Sequence, residues 1–167
     1  MMQSSGLALR RLPGGEEAVA TLSDEAATLA LGQRLGLALQ PGLKVYLRGD
    51  LGAGKTTLVR GALRALGYGG RVKSPTFGLV EVYSVSSLYL YHFDFYRFKN
   101  PQEWRDAGFR EEFGGPGVCL VEWPEKAGGL LPVPDLTIAL EHDGEGRRAR
   151  LTSTSERGRQ CLDQITQ

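Results

Sequence analysis

Apolar positions along this chain alternate between helical and strand spacing, and the switches mark its elements. From Ser23, the recurrence of Ala27, Leu31, Leu35 and Leu39 predicts a helix, with Ser23 as its cap and Asp24 and Glu25 at its positive end. Pro41-Gly42 stops it. Ahead of it, a short strand is expected near Leu7–Leu12, followed by a Pro-Gly-Gly break. Residues 43–49, LKVYLRG, read as a strand running into a Gly-rich turn. The stretch KTTLVRGALRALG then predicts a helix with Leu58, Ala62 and Leu66 on one face and its end at Gly67. Residues 78–97 predict a hairpin through YSVSS. In its second arm Leu88, Leu90, His92 and Asp94 share one face, and Tyr89, Tyr91, Phe93 and Phe95 the other.

Further along, Pro101 opens a short helix over PQEWRDAG, and GVCLVEW reads as a buried strand. DLTIALEH and RRARLTSTS predict a late hairpin through DGEG, and a final helix is expected over 156–167. Trp104, Phe109 and Phe113 around the short helix suit a core more than a partner patch. Strands interleaved with helices imply an α/β class, and the hairpins argue for a mixed rather than purely parallel sheet. The 167 residues are enough for a single domain with a real core.

Composition narrows the function classes. With 20 basic and 19 acidic residues the net charge is +1, so the chain as a whole has no bias toward a nucleic-acid backbone. Cys119 and Cys161 cannot build a disulfide framework and stand in no metal-ligand spacing. No apolar run approaches the roughly 18 residues of a membrane span, and the N-terminus lacks a secretory pattern. A cytoplasmic protein is the expectation.

The chemistry is concentrated in Gly49-Asp50-Leu51-Gly52-Ala53-Gly54-Lys55-Thr56, an ungapped G-x-x-x-x-G-K-[ST] match between a predicted strand and a predicted helix. Glycines let the backbone adopt positive φ and bring N–H groups to phosphate oxygens, and the helix start adds its positive end. Lys55 is the point charge for the β/γ-phosphates, the Thr56 hydroxyl a ligand for Mg2+, and Thr57 is placed for the α-phosphate. The chain has no N-K-x-D segment, which favours ATP over GTP. A carboxylate at a second strand end is also required, and two residues qualify: Asp94 in HFDFYR, and Glu122 at the end of VCLVE. A structural pair with Arg97 is the plain alternative for Asp94, and an exposed turn residue for Glu122. His92 reads as a core or supporting histidine. Ser74-Pro75-Thr76-Phe77 lies where nucleotide switches carry a polar loop, although alone it signals only a turn.

Taken in order, GDLGAGKTTLVRG, VKSPTF, YHFDFYR and VEWPEK resemble the bacterial TsaE family, from about Ser23 to about Leu151. The resemblance implies a P-loop NTPase-like fold and an ATPase required for threonylcarbamoyladenosine at position 37 of tRNA. Its partners there are a threonylcarbamoyl-transferase subunit and its inactive paralogue, the TsaD and TsaB types. By the same resemblance Glu122 is the magnesium carboxylate, Trp123 the tryptophan beside it, and Asp94 an acidic residue needed for activity. Ser74 and Thr76 fall in a switch loop, and Glu25 and Arg147 line the adenine side. Hydrolysis by the free chain is expected to be slow, since the sequence offers no obvious built-in arginine finger. A small-molecule or nucleotide kinase is the competing reading of the same loop.

Overall fold

The strand-end chemistry depends on how the strands are ordered, and the computed structural model, which describes residues 6–75 and 79–167, settles that order. Eight strands form one sheet: β1 (Leu7–Arg11), β2 (Glu17–Leu22), β3 (Lys44–Arg48), β4 (Val80–Val85), β5 (Leu88–Asp94), β6 (Val118–Glu122), β7 (Leu136–Asp143) and β8 (Gly146–Ser153). They lie in the order β1-β2-β8-β7-β3-β6-β5-β4. The central four, β7, β3, β6 and β5, are parallel, and antiparallel strands flank them on both sides. The mixed α/β class is therefore the one expected.

The parallel strands carry apolar side chains on both faces, as strands covered on both sides must. Alternation divides them. Val45, Leu47, Leu90, Val118, Leu120, Leu136 and Ile138 join the cluster under helices α1 (Glu25–Ala38), α2 (Lys55–Ala65) and α5 (Glu156–Ile165). Tyr46, Phe93, Cys119 and Val121 point the other way, into an aromatic cluster with Phe95, Phe98, Trp104 and Phe113. Trp104 and Phe113 are buried, and Phe93 packs 4.9 Å from Phe113 and 5.0 Å from Phe109 between ring centres. These aromatics are core. Cys119 and Cys161 are free and buried, and burial pushes both thiols up to about 12.

Three local departures from the sequence pattern have physical reasons. The α1 cap is Asp24, not Ser23: Asp24 is extended and its Oδ1 accepts the Ala27 N–H at 2.8 Å, while the Ser23 hydroxyl bonds Gly6 O. The hairpin β4–β5 turns on Ser86-Ser87 alone, both at positive φ, so the turn is shorter than YSVSS. Strand β2, unforeseen after the Pro-Gly-Gly break, is held by pairing on both edges with β1 and β8. Two short helices follow β5, α3 (Gln102–Ala107) as expected and α4 (Arg110–Gly114), which the sequence pattern did not mark. Among the described residues no helix is long and apolar enough to cross a membrane.

Helices α1 and α2 touch backbone to backbone through Gly32, Gly36 and Gly61. A Cβ at Gly36 would collide with Ala62 O and lie 2.8 Å from Ala62 Cα, atoms that cannot swing aside. Alanine is the better helix former by roughly 1 kcal/mol, but overpacking of this kind costs about 1–3 kcal/mol and also forces the helices apart. Gly36→Ala is therefore expected to lower stability by about 2 kcal/mol and the melting temperature by about 6 °C. Gly114→Ala, where a Cβ meets nothing within 4 Å, should leave both nearly unchanged. Thermal denaturation of the two variants checks the difference.

Candidate functional site

Parallel strands deliver their carboxyl ends to one edge of the sheet, and there the loop after β3 meets the ends of β5 and β6. The chain leaves β3 through Gly49 at φ 147, crosses Gly52 at φ 78, and enters α2 through Gly54 at φ 108. At Gly49 a Cβ would lie 2.7 Å from Leu140 O, so both conformation and space demand glycine. Helix α2 has no side-chain cap at its N-terminus. Its first N–H groups are left for an anion, and Gly52, Ala53, Gly54, Lys55, Thr56 and Thr57 line a cavity of about 400 Å³. Ser74, Asp94, Tyr96, Arg97, Glu122 and Trp123 close its other side.

Lys55 is 5% exposed. Its ammonium donates to Gly49 O and, at 3.4 Å, to Asp50 O, and it lies 3.8 Å from the centre of the Trp123 ring. Burial pushes it below the usual lysine range, while the charges of Glu122, Glu125, Asp94 and Asp50 pull it back up. Trp123 reaches this position because it turns off the end of β6 at φ 58, a costly conformation for a bulky residue. Tyr96 packs on its ring at 5.0 Å.

Glu122, 3% exposed, takes two donors on one oxygen: Thr56 Oγ1 stands 3.1 Å and His92 Nε2 2.6 Å from its Oε2. Since the Thr56 proton points at Glu122, Ser74 Oγ, 2.8 Å away, donates to Thr56. Glu122 is thus not an exposed turn residue. Asp94 pairs in register with Glu122 across β5 and β6, and the Phe95 N–H donates to Glu122 O at 3.1 Å. Its Oδ1 accepts the Tyr96 N–H at 2.9 Å, and burial pushes its carboxyl above the usual range. Among the described residues Asp94 has no ion pair with Arg97 or any other cation.

A second recess of about 140 Å³ opens behind the loop, sharing Gly52, Ala53, Gly54 and Thr57 with the first and adding Glu25, Thr28 and Arg147. Arg147 donates to Gly52 O at 3.1 Å. Every candidate site residue named from the sequence therefore borders one of the two recesses, except Thr76, which lies outside the described residues. His92 was read as a core or supporting residue and left out of the site, yet it touches Glu122. Its place on the same alternating face as Asp94 was the available signal. Arg97 is a second addition: read from the sequence only as a structural pair for Asp94, it is exposed and stands at the cavity rim.

Comparison with known proteins gives these features a family. Residues 22–150 match the family model described as threonylcarbamoyl adenosine biosynthesis protein TsaE. The chain is 39% identical over 146 residues to the tRNA threonylcarbamoyladenosine biosynthesis protein TsaE of Haemophilus influenzae, covering 84% of this chain and 92% of that one. It is 40% identical over 121 residues to the protein of the same name from Bacillus subtilis, covering 72% and 75%. The crystal structure of Bacillus subtilis YdiB superposes with a TM-score of 0.78 at 30% identity, over 90% of this chain and 94% of the other. The P-loop NTPase-like fold is thus shared and the likeness extends over most of the chain's length, and the chain belongs to the TsaE family of threonylcarbamoyladenosine biosynthesis proteins.

Proposed function

We propose that this chain is a Mg2+-dependent ATPase of the cytoplasm. Its nucleotide cycle supports turnover of the enzyme complex that forms threonylcarbamoyladenosine in tRNA. The observation that carries the reading is the meeting of an uncapped P-loop helix with two strand-end carboxylates in one cavity. The amides of Gly52, Ala53, Gly54, Lys55, Thr56 and Thr57 cradle the phosphates. Lys55 supplies the charge on the β/γ-phosphates and Trp123 flanks it. Glu25 and Arg147, in the rear recess, receive the base side of the nucleotide. Ser74 and Thr76 report the γ-phosphate, a role supported for Ser74 by its bond to Thr56.

The Thr56 hydroxyl and Glu122 carboxylate suit a small hard cation, and they stand 3.1 Å apart with the Thr56 proton turned toward the carboxylate, which leaves one hydroxyl lone pair beyond the one that accepts from Ser74. Among the described residues there is no group of three or more His, Cys, Asp or Glu around a common point. Such a sparse set matches Mg2+, which keeps waters and takes its remaining ligands from phosphate. Bound there, the ion neutralises charge on the phosphate oxygens. Asp94 holds the attacking water: Oδ1 is committed to the Tyr96 N–H, so Oδ2 is the acceptor for the water's proton. Arg97 is exposed at the cavity rim and its side chain is in no ion pair among the described residues, so nothing in the free chain holds it on the phosphates. The free chain therefore hydrolyses slowly and partners complete the site. Those partners are a threonylcarbamoyl-transferase subunit and its inactive paralogue, of the TsaD and TsaB types, with tRNA contacted through them.

Hydrolysis of ATP by the purified chain, alone and then with the transferase pair and tRNA, tests this directly. A low basal rate that rises with the complex, together with tRNA modification that depends on this chain, is the expected result. Phosphate appearing on a small-molecule acceptor instead would make it a kinase.

A further inference from the structure

His92 belongs to β5, one of the central strands, and is 0% exposed. In the parallel register of β5 and β6 it pairs with Leu120, and Asp94 with Glu122. His92 is therefore the diagonal neighbour of Glu122 on the face that looks toward α2. Its Nε2 stands 2.6 Å from Glu122 Oε2, and its Nδ1 has no partner among the described residues. A ring nitrogen this close to a carboxylate oxygen donates, so Nε2 carries a hydrogen that faces Glu122. The donor is built into the sheet: neither strand can shift without breaking the parallel ladder.

The consequence falls on Glu122. A carboxylate on the last residue of a strand has free side-chain torsions, and one held by Thr56 alone would follow the hydroxyl wherever a ligand drew it. Two donors converging on Oε2 fix the carboxylate plane and leave Oε1 without a protein donor among the described residues. Resting on the reading of Thr56 and Glu122 as ligands of a divalent cation, we infer that His92 is the positioning residue for that cation. It holds Oε2 so that Glu122 meets the ion in one orientation. Removal of such outer partners typically weakens metal affinity about ten- to a hundredfold.

Three substitutions separate positioning from packing. His92→Gln keeps an amide N–H where Nε2 stands; His92→Asn carries its amide nearer to Nδ1; His92→Leu carries none. Mg2+ is titrated into each variant in the presence of a fluorescent, non-hydrolysable ATP analogue, and the analogue's affinity is measured separately in EDTA. The Leu and Asn variants should raise the half-saturating Mg2+ concentration about tenfold or more. The Gln variant should stay within about threefold of the parent. Affinity in EDTA should not change for any of the three. Equal Mg2+ dependence in all four proteins would overturn the inference while leaving the site reading intact. An equal loss in all three variants, glutamine included, would reduce His92 to a packing residue. If the parent itself binds the analogue equally well with and without Mg2+, the cation site is wrong and the inference goes with it.

Discussion

Lys55→Met will weaken ATP binding by about a hundredfold, a loss of about 2.7 kcal/mol, and will abolish support of tRNA modification with it. Methionine keeps an apolar stem against Trp123 and removes only the ammonium, so a change in affinity reports the charge. The charge is worth more here than on a surface because Lys55 is buried: a desolvated cation facing phosphate oxygens is screened little, and breaking such pairs typically costs 2–5 kcal/mol. The ammonium has already given up much of its hydration and is held by Gly49 O and Asp50 O, backbone atoms of the loop that takes the phosphates. The anion therefore arrives at a preformed cation. Calorimetric titration with ATP measures the loss, and circular dichroism establishes that the variant is folded. Affinity within about threefold of the parent, or retained modification activity, would remove Lys55 from the centre of the mechanism.

The parts of this site that the sequence made visible are those where a few adjacent residues carry the whole requirement. Gly49 to Thr56 is contiguous, and its three positive-φ glycines, lysine and threonine are each dictated by the phosphate they would meet. Glu122 and Asp94 were visible because each ends an apolar run, although no local feature told that their strands are neighbours. Adjacency comes from the order β3-β6-β5, set by crossovers that join residues far apart in the chain. His92 was discounted for the same reason: its partner is thirty residues away, and an alternating strand pattern says only that a side chain points inward, not what it meets. Strand β2 was missed because EAVATL is short and weakly apolar, and its stability comes from pairing with both β1 and β8, the latter more than a hundred residues distant. The α1 cap shows the limit at the smallest scale. Ser23 and Asp24 are both good caps by type, and the choice is made by where the chain bends after β2.

Asp94→Asn is the complementary experiment, with the opposite division of effects. The substitution keeps the size of the side chain and the oxygen that accepts the Tyr96 N–H, so the end of β5 should hold its shape. It removes the basic carboxylate oxygen that receives the proton of the attacking water on the proposed reading. General-base positioning contributes about 10²–10⁴ in rate, so turnover in the presence of the partner complex should fall at least about a hundredfold. Binding of ATP with Mg2+ should stay within about threefold of the parent or tighten, because Asn removes a negative charge from a cavity meant for a polyphosphate. The elevated carboxyl fits this division: burial is the largest cause, with the neighbouring Glu122 charge adding to it, and an oxygen that holds its proton more firmly than an exposed aspartate is the better base. Single-turnover hydrolysis and equilibrium binding on the same preparation separate the two quantities. A loss of affinity as large as that of Lys55→Met would place Asp94 among the groups that hold the nucleotide. Unchanged turnover would leave proton removal to solvent or a partner and reduce Asp94 to the turn that shapes Tyr96 and Arg97.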